Sequence, residues 1–364
     1  MGVKQLSEKS LSSNSSDYDD ELRSLLESRK TQIRVVGCGG AGNNTITRLS
    51  QVGIIGAETI AVNTDAQDLL YTDADKKILI GKELTAGLGA GANPTIGMEA
   101  AKESKEEIKK ALQGADLIFL TCGLGGGTGT GSLPVVADIA KKMGILTIAV
   151  VTLPFAMEGK QRMKNARGGL DNLQAVADTL IVVPNDRLLE MVPDVSLSTA
   201  FKIADEVLVN AVKGITELVT KPGLVNLDFA DVKAVMNQGG LAMIGVGESD
   251  SENRAFESIE RALNNPLISV DIDGATGALI NVVGGPDITV REAQQIVDTV
   301  SSKISEDAKI IWGAQVDKAL GESVRTLIVL TGVKSEQIFG GSDKTLSKEE
   351  KKGMERFLGI EFLE

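Results

Sequence analysis

Glycine dominates the stretch of this chain that most clearly predicts chemistry. The segment TCGLGGGTGTGS, residues 121–132, holds six glycines and follows the apolar run ADLIFL. Because glycine has no side chain, a ligand can approach its main chain closely, and successive N–H groups form a concavity that holds anions. Thr128, Thr130 and Ser132 can add hydroxyl donors. Pro134 suits the first turn of a following helix, whose positive end would face the same anion. We therefore expect a phosphate site here.

Another glycine loop, VVGCGGAGNNT, comes earlier in the chain; we call it the first loop and the glycine-rich residues 123–131 the second loop. Gly37, Gly39 and Gly42 fit the spacing G-x-G-x-x-G between a predicted strand and a predicted helix. Asp65 ends the next predicted strand, at about the separation at which a dinucleotide site places its ribose-binding carboxylate. Taken alone, this loop points to NAD, or to a tight turn that binds no ligand.

A third run of small residues, GLGAGANP at 87–94, also follows a predicted strand. Neither of the first two loops ends in the G-K-[ST] of a P-loop, so no lysine is placed to reach the β and γ phosphates. Three such loops at one sheet edge favour a triphosphate over a pyrophosphate. We expect Mg²⁺ to be bound by those phosphates, with no protein side chain as a direct metal ligand.

The composition excludes several other kinds of site. The 364 residues include no histidine, which removes His-ligated zinc and general-base catalysis by histidine. Cys38 and Cys122 are too few for a disulfide framework and are expected to be small buried residues of a cytoplasmic protein. The net charge of −12 disfavours nucleic acid or an anionic membrane surface as the main partner. No apolar run approaches the roughly 18 residues of a membrane span, so no direct membrane insertion is expected.

Short runs rich in Val, Ile and Leu alternate with segments of helical composition through the first half of the chain. This pattern predicts an α/β domain whose parallel sheet is covered by helices on both faces. The predicted strands are QIRVVG, AETIAVN, KKILIG, ADLIFLTCG, ILTIAVVTLP and TLIVVPND.

The chain divides into five predicted parts. Residues 1–31 are expected to form a partly disordered extension with a short helix, and 32–197 to form the nucleotide-binding domain. Apolar residues at helical spacing predict a long connecting helix at 198–222. Mixed helical and strand-like runs then predict a smaller α+β domain at 223–333, which a tail at 334–364 follows.

Taken together, these motifs resemble the tubulin/FtsZ GTPase family. GGGTGTG at 125–131 matches the family signature, and the similarity runs from about residue 33 to residue 333. It also includes, in order, GCGGAGNN, NTDAQ, GAGANP, PFAMEGKQRM, VPNDRLL, AF before the central helix, and NLDFADV. The resemblance implies a Rossmann-like GTPase domain, a long central helix and a smaller α+β C-terminal domain, with GTP or GDP and Mg²⁺ as cofactors.

The resemblance also implies a role for each matching residue of the nucleotide site. Phosphate contacts are implied for Gly39, Gly40, Ala41, Gly125, Gly126, Gly127, Thr128, Gly129, Thr130 and Gly131. The other implied contacts are Asn43 and Asn44 near the nucleotide, Ala90, Gly91, Ala92 and Asn93 at the γ-phosphate, and Glu158 and Arg162 at the ribose and phosphates. Asp65 is kept as a cofactor-binding residue from the spacing described above.

Guanine recognition is implied for Asn185, Phe201 and Asp205. Phe201 offers a stacking face, and a carboxylate can accept from guanine N1–H and N2–H together, a donor pair that adenine lacks. Periodicity alone would instead place Phe201 in the core and Asp205 on a solvated helix face.

The motif NLDFADV contains Asn226, Asp228 and Asp231. Two carboxylates three residues apart near a helix start are most often a helix cap and a partner for the helix dipole. The resemblance instead implies catalytic groups that act in trans, because this loop of one subunit completes the GTP site of the next in a head-to-tail filament. Hydrolysis would then require assembly, and the filaments would form the cell-division ring at mid-cell.

Three hypotheses about function remain open at this point. The first is a GTPase that polymerises into cytoskeletal protofilaments, the second is an NAD-linked oxidoreductase, and the third is a GTP-binding scaffold without hydrolysis. The terminal segment MERFLGIEFLE resembles the family's C-terminal partner peptide and equally resembles a solvated terminal helix. In the first case, the tail would bind a membrane anchor or other division proteins.

Overall fold

The structure is a computed structural model. It describes residues 31–187, 196–221, 223–225, 227–237, 239–264 and 271–334. The predicted helix of the N-terminal extension and almost all of the predicted tail lie outside these described residues.

The first half of the chain forms a six-stranded parallel sheet, as the apolar runs predicted. The strands stand side by side in the order β3-β2-β1-β4-β5-β6. Their bounds are β1 Ile33–Cys38, β2 Ala57–Asn63, β3 Lys76–Leu79, β4 Leu117–Gly123, β5 Leu146–Leu153 and β6 Thr179–Pro184. β5 is buried at every position, which explains why its sequence is a continuous apolar run without alternation.

Helices cover both faces of this sheet. Their bounds are α1 Gly39–Val52, α2 Ala66–Tyr71, α3 Lys82–Thr85, α4 Pro94–Glu103, α5 Lys105–Leu112, α6 Thr128–Lys142 and α7 Lys160–Val176. Successive side chains of a strand point to opposite faces, so Val35 packs into one apolar layer and Val36 into the other. α4 to α7 belong to the second layer.

The long connecting helix is confirmed as α8, Leu197–Thr220. The side chain of Ser196 caps its first turn by accepting a hydrogen bond of 3.1 Å from the Thr199 N–H. Its apolar stripe, which includes Leu208, Val212 and Ile215, is buried in the first apolar layer. This burial fixes the helix across the face of the sheet.

The second half of the chain adds four strands to the same sheet. They are β7 Gly240–Ser249, β8 Gly277–Gly284, β9 Lys309–Val316 and β10 Val324–Thr331, with helices α9 Phe229–Met236, α10 Arg254–Leu263 and α11 Val290–Ser301. The complete order is β3-β2-β1-β4-β5-β6-β7-β10-β8-β9. The two halves join where three residues of β6 pair in parallel with β7.

Sequence reasoning missed β7 because two glycines interrupt its apolar pattern. Gly245 and Gly247 lie directly under α10, where a Cβ on either residue would overlap a carbonyl oxygen of Ala262 or Ser258. Glycine is therefore required for helix α10 to pack on this strand.

Close packing of α4 against α6 also requires glycine at position 131. A Cβ on Gly131 would overlap the Pro94 carbonyl oxygen and lie 2.6 Å from the Met98 nitrogen. We expect Gly131→Ala to lower the free energy of unfolding by roughly 1–3 kcal/mol, because the backbones of two helices must separate. Urea unfolding measures this value.

Gly168→Ala is the matched control, because a Cβ on this helical glycine would meet nothing within 4 Å. Alanine is the better helix former, so we expect this control to be neutral or to stabilise by up to about 1 kcal/mol. Equal effects of the two substitutions would contradict the close-packing account.

Candidate nucleotide site

A cavity of about 320 Å³ opens at the carboxyl edge of the parallel sheet. The ends of β1, β4, β5 and β6 meet there, which is where open α/β sheets bind their ligands. Many of the expected site residues line it: Gly39, Gly40, Ala41, Asn44, Gly126, Gly127, Thr128, Gly129, Glu158, Arg162, Asn185, Phe201 and Asp205.

The first two glycine loops contact each other through their backbones at the floor of this cavity. A Cβ on Gly129 would lie 2.8 Å from the Cys38 carbonyl oxygen, and a Cβ on Gly39 would lie 2.8 Å from the Gly129 nitrogen. Side chains at these positions would push the loops apart. Helices α1 and α6 begin at Gly39 and Thr128, so both helix N-termini face the cavity. Their free N–H groups and dipoles favour an anion.

The expectation for Pro134 was wrong, because α6 begins at Thr128 and not just before the proline. The last part of the glycine-rich segment is therefore helix, and Pro134 lies in the helix interior. Thr130 is buried, and its hydroxyl oxygen accepts from the Gly125 N–H at 2.9 Å. Ser132 is also buried. Of the three expected hydroxyl donors, Thr128 is the one that lines the cavity.

Several other expected residues support the cavity from behind rather than line it. Gly125, Thr130 and Gly131 lie within or beneath the second loop. Asn43 is buried and donates from Nδ2 to the Asp68 carboxylate at 3.1 Å. Asp65 caps α2 by accepting from the N–H groups of Gln67 at 2.9 Å and Asp68 at 3.1 Å.

Sequence reasoning missed the Asp68 carboxylate, which accepts hydrogen bonds from two nearby asparagine side chains. It accepts from Asn43 Nδ2 and, at 2.5 Å, from Asn63 Nδ2. No motif of the first loop includes this position, so only the folded arrangement brings it beside Gly40.

The third loop, Ala90 to Asn93, packs against the back of the second loop. A Cβ on Gly127 would lie 2.8 Å from the Asn93 nitrogen. Asn93 caps α4 by accepting from the Thr95 N–H at 3.0 Å, and the short helix α3 separates this loop from β3. Asn165 of α7 donates to the carbonyl oxygens of Ala92 at 3.1 Å and Gly125 at 3.4 Å. One side chain thus ties the second and third loops together.

The opposite end of the cavity combines a ring, an amide and a carboxyl. Phe201 is 41% exposed and meets Phe155 edge to face, with ring centroids 5.3 Å apart. Asn185 is buried, and its side-chain oxygen accepts no hydrogen bond from the described residues. Burial raises the pKa of Asp205 to about 7, with a smaller contribution from the negative charge of Glu206. Together, a ring that can stack and two polar groups that can hydrogen-bond could bind a flat, polar ligand.

Glu158 and Arg162 form one wall of the cavity. The Glu158 carboxylate accepts from the Phe155 N–H at 2.9 Å and also pairs with the Arg162 guanidinium. Among the described residues that line the cavity, Arg162 alone is cationic. Positive side-chain charge therefore contributes little to anion binding here.

The described part of NLDFADV, residues 227–232, which we call the acidic loop, does not line this cavity, and its structure confirms the capping interpretation. The Asp228 carboxylate accepts from the Asp231 N–H at 2.8 Å, and the Asp231 carboxylate accepts from the Asp228 N–H at 3.4 Å. This reciprocal pair begins α9. Asn226 lies outside the described residues.

No group of three or more acidic or cysteine side chains among the described residues is arranged to hold a metal ion. No helix of the described chain is long and apolar enough to cross a membrane.

Comparison with known proteins identifies the family. Residues 32–193 match the Tubulin/FtsZ family, GTPase domain, and residues 240–334 match the FtsZ family, C-terminal domain. The chain is 66% identical over 320 residues to Cell division protein FtsZ 1 of Methanocaldococcus jannaschii, a match that covers 88% of each protein. The chain belongs to the FtsZ family.

Other FtsZ proteins agree with this assignment. The chain is 63% identical over 320 residues to Cell division protein FtsZ 1 of Thermococcus kodakarensis, covering 88% of this chain and 86% of that protein. A solved M. jannaschii structure, an empty FtsZ dimer, superposes with a TM-score of 0.82 at 61% identity. That match covers 91% of this chain and 99% of the solved one.

Membership establishes the general activity. The chain is a cell-division protein of the tubulin GTPase family, and its N-terminal half is a GTPase domain that binds GTP and GDP. The interpretation of the first glycine loop as an NAD site is therefore wrong. Its spacing cannot distinguish a dinucleotide turn from the phosphate loop of this family, since both begin a helix after a strand.

The environment of Asp205 generates a prediction about its titration. We expect this carboxyl to titrate near pH 7 in the nucleotide-free protein, because burial disfavours its charged form. Carboxyl-carbon NMR measures the titration, and Asp205→Asn identifies the resonance. Glu206→Gln should lower the pKa of Asp205 by removing a nearby negative charge. A titration close to pH 4 would contradict the described burial.

Proposed function

We propose that the cavity holds GTP with its base between Phe201, Asn185 and Asp205 and its phosphates on the two glycine loops. The observation that carries this proposal is the convergence of two helix N-termini and two side-chain-free loops on one cavity. The Asp205 carboxylate would accept from guanine N1–H and N2–H, a pair that adenine does not offer. Only the ionised carboxylate can do so, and GTP affinity should therefore fall as the pH drops through 7.

Mg²⁺ would be held mainly by the phosphates and water. This fits the described residues, which supply no cluster of acidic ligands for a metal. When bound, the ion would neutralise charge on the β and γ phosphates. The protein's own contribution is to fix the phosphates with main-chain donors and the wall residue Arg162.

We further propose that the acidic loop acts on the GTP of a neighbouring subunit. Helix α8 begins at the cavity, where Phe201 lies, and ends at Thr220, just before the acidic loop. At 1.5 Å per residue, these two residues are roughly 30 Å apart. Neither Asp228 nor Asp231 lines the cavity of its own chain, but a copy stacked below or above could bring them there.

Such a contact is heterologous, because the acidic loop of one copy meets the cavity of the next. Repetition of this contact gives an open filament and not a closed dimer. GTP hydrolysis would then depend on assembly, with Asn226, Asp228 and Asp231 polarising the attacking water. The solved empty dimer of a 61% identical FtsZ supports self-association.

In the cell, these filaments would form the division ring at mid-cell. We propose that residues 334–364 connect the ring to a membrane anchor or to other division proteins. Nucleic acid is not expected as a partner, since the chain carries a net charge of −12.

Substitution of the two acids by their amides tests the catalytic part of this proposal. Asparagine caps a helix about as well as aspartate, so Asp228→Asn and Asp231→Asn should leave the fold and GTP affinity intact. We expect turnover at assembling concentrations to fall by roughly 100-fold or more, as for loss of a positioned catalytic group. Asp171→Asn, which neutralises an exposed acid on α7, is the control.

Unchanged turnover in Asp231→Asn, with GTP still bound, would favour another catalytic group over the acidic loop, whereas GTP binding without turnover in the unsubstituted protein would favour a scaffold. Lost GTP binding would instead place these acids in the protein's own cavity. Nucleotide titration and phosphate release separate these outcomes.

The dependence on assembly gives a second test. We expect phosphate release per molecule to be very low in dilute protein and to rise steeply to a plateau as concentration increases. Light scattering under the same conditions should rise at the same concentration. A rate per molecule that is independent of concentration would contradict completion of the site by a neighbour.

A further inference from the structure

We propose that a groove on the outer face of the GTPase domain binds the last residues of the same chain, 354–364. The groove has a volume of about 890 Å³ and runs between α4, α6 and α7. We call it the lysine groove, because Lys102, Lys105 and Lys164 line it around a floor that includes Met98, Val135 and Val176. This proposal does not depend on how GTP is hydrolysed.

The lysine groove is positively charged in an otherwise acidic protein. Lys102 pairs with Glu99 at 2.8 Å, whereas Lys105 and Lys164 have no ion-pair partner among the described residues. The one acid in its lining, Asp138, is paired with Lys142 at 2.6 Å. Since the chain has a net charge of −12, this surface favours an acidic ligand.

The floor of the groove is apolar and open. Met98, Val135 and Val176 are only partly buried. A Cβ on Gly168 would meet nothing within 4 Å, so there is room above this glycine. An occupant that brings apolar side chains would remove this surface from water.

The terminal segment MERFLGIEFLE has the complementary chemistry. Its apolar residues are Met354, Phe357, Leu358, Ile360, Phe362 and Leu363, and its acids are Glu355, Glu361 and Glu364, against the single base Arg356. Apolar residues can cover the floor while acids meet the lysines, as amphipathic segments do in hydrophobic grooves.

The path of the chain brings this segment to the correct face. Val333 is buried in the same apolar layer as Leu173 of α7, and its N–H donates to Leu241 of β7 at 3.2 Å. Leu241 pairs with Leu180 of β6, which follows the end of α7 by a few residues. The chain therefore leaves the described structure at Lys334 next to the start of β7, one strand from β6, which begins three residues after Val176.

The linker is long enough to reach every part of the groove. Residues 335–353 span up to roughly 60 Å when extended. The groove follows α7, which is about 25 Å long. A tail docked in the groove could not at the same time bury the same apolar residues on another protein. The groove would therefore hold the tail only while no partner protein is bound to it.

The test places a photocrosslinker in the full chain. We expect Phe357→p-benzoylphenylalanine to crosslink to Met98, Val135 or Val176, located by mass spectrometry after irradiation. In a mixture of isotopically heavy and light chains, the crosslinked peptides should carry the same label, since the tail docks on its own chain. Crosslinks mainly to another surface or between heavy and light chains, or the absence of groove crosslinks, would overturn the proposal.

Charge reversal supplies the matched control. Lys105→Glu with Lys164→Glu should lower the crosslink yield roughly fivefold, because two favourable charge contacts become unfavourable. Lys109→Glu with Lys110→Glu makes the same change in net charge on the exposed surface of α5 outside the groove and should leave the yield unchanged. Equal loss in both pairs would contradict a specific site. Thermal unfolding confirms that each variant is folded.

Discussion

Main-chain N–H groups would have to hold the phosphates in the proposed site, because the chain is strongly acidic and, among the described residues, Arg162 alone brings a positive charge to the cavity. Main-chain donors can reach a phosphate only where side chains are absent. The two glycine loops meet this condition, and they can also touch each other, as at Gly39 and Gly129. The approach of α1 and α6 to one cavity follows from this contact, so a larger residue at either position would separate the two helix N-termini.

Helix α8 then separates the cavity from the start of the acidic loop. It starts at the end of the cavity where Phe201 lies and ends before the acidic loop, and its apolar stripe is buried in the first apolar layer. A carboxylate permanently beside a triphosphate would repel it. Asp228 and Asp231 do not line the cavity of their own chain, which avoids this repulsion in the single chain. The proposed filament brings the two together only when a second copy arrives.

Much of this architecture could be predicted from the sequence, and the exceptions have physical causes. The six parallel strands were visible because burial on both faces leaves continuous apolar runs. β7 was not, since Gly245 and Gly247 serve the packing of α10. The beginning of α6 was misplaced because TGTGS has the composition of a loop, although its residues are helical. Motif spacing placed Asn43 and Asp65 near the nucleotide, but it could not show that their side chains serve Asp68 and the start of α2. The pKa of Asp205 depends on burial that only the folded chain reveals.

Complementation between two inactive chains tests the central claim most directly. Asp231→Asn has an intact cavity and an altered acidic loop, whereas Asp205→Asn has an altered cavity and an intact loop. If each active site is shared between neighbours, neither variant alone should turn over GTP, and their mixture should recover phosphate release. Turnover that stays at the sum of the two separate variants, in a mixture shown to co-assemble, would contradict a site completed in trans.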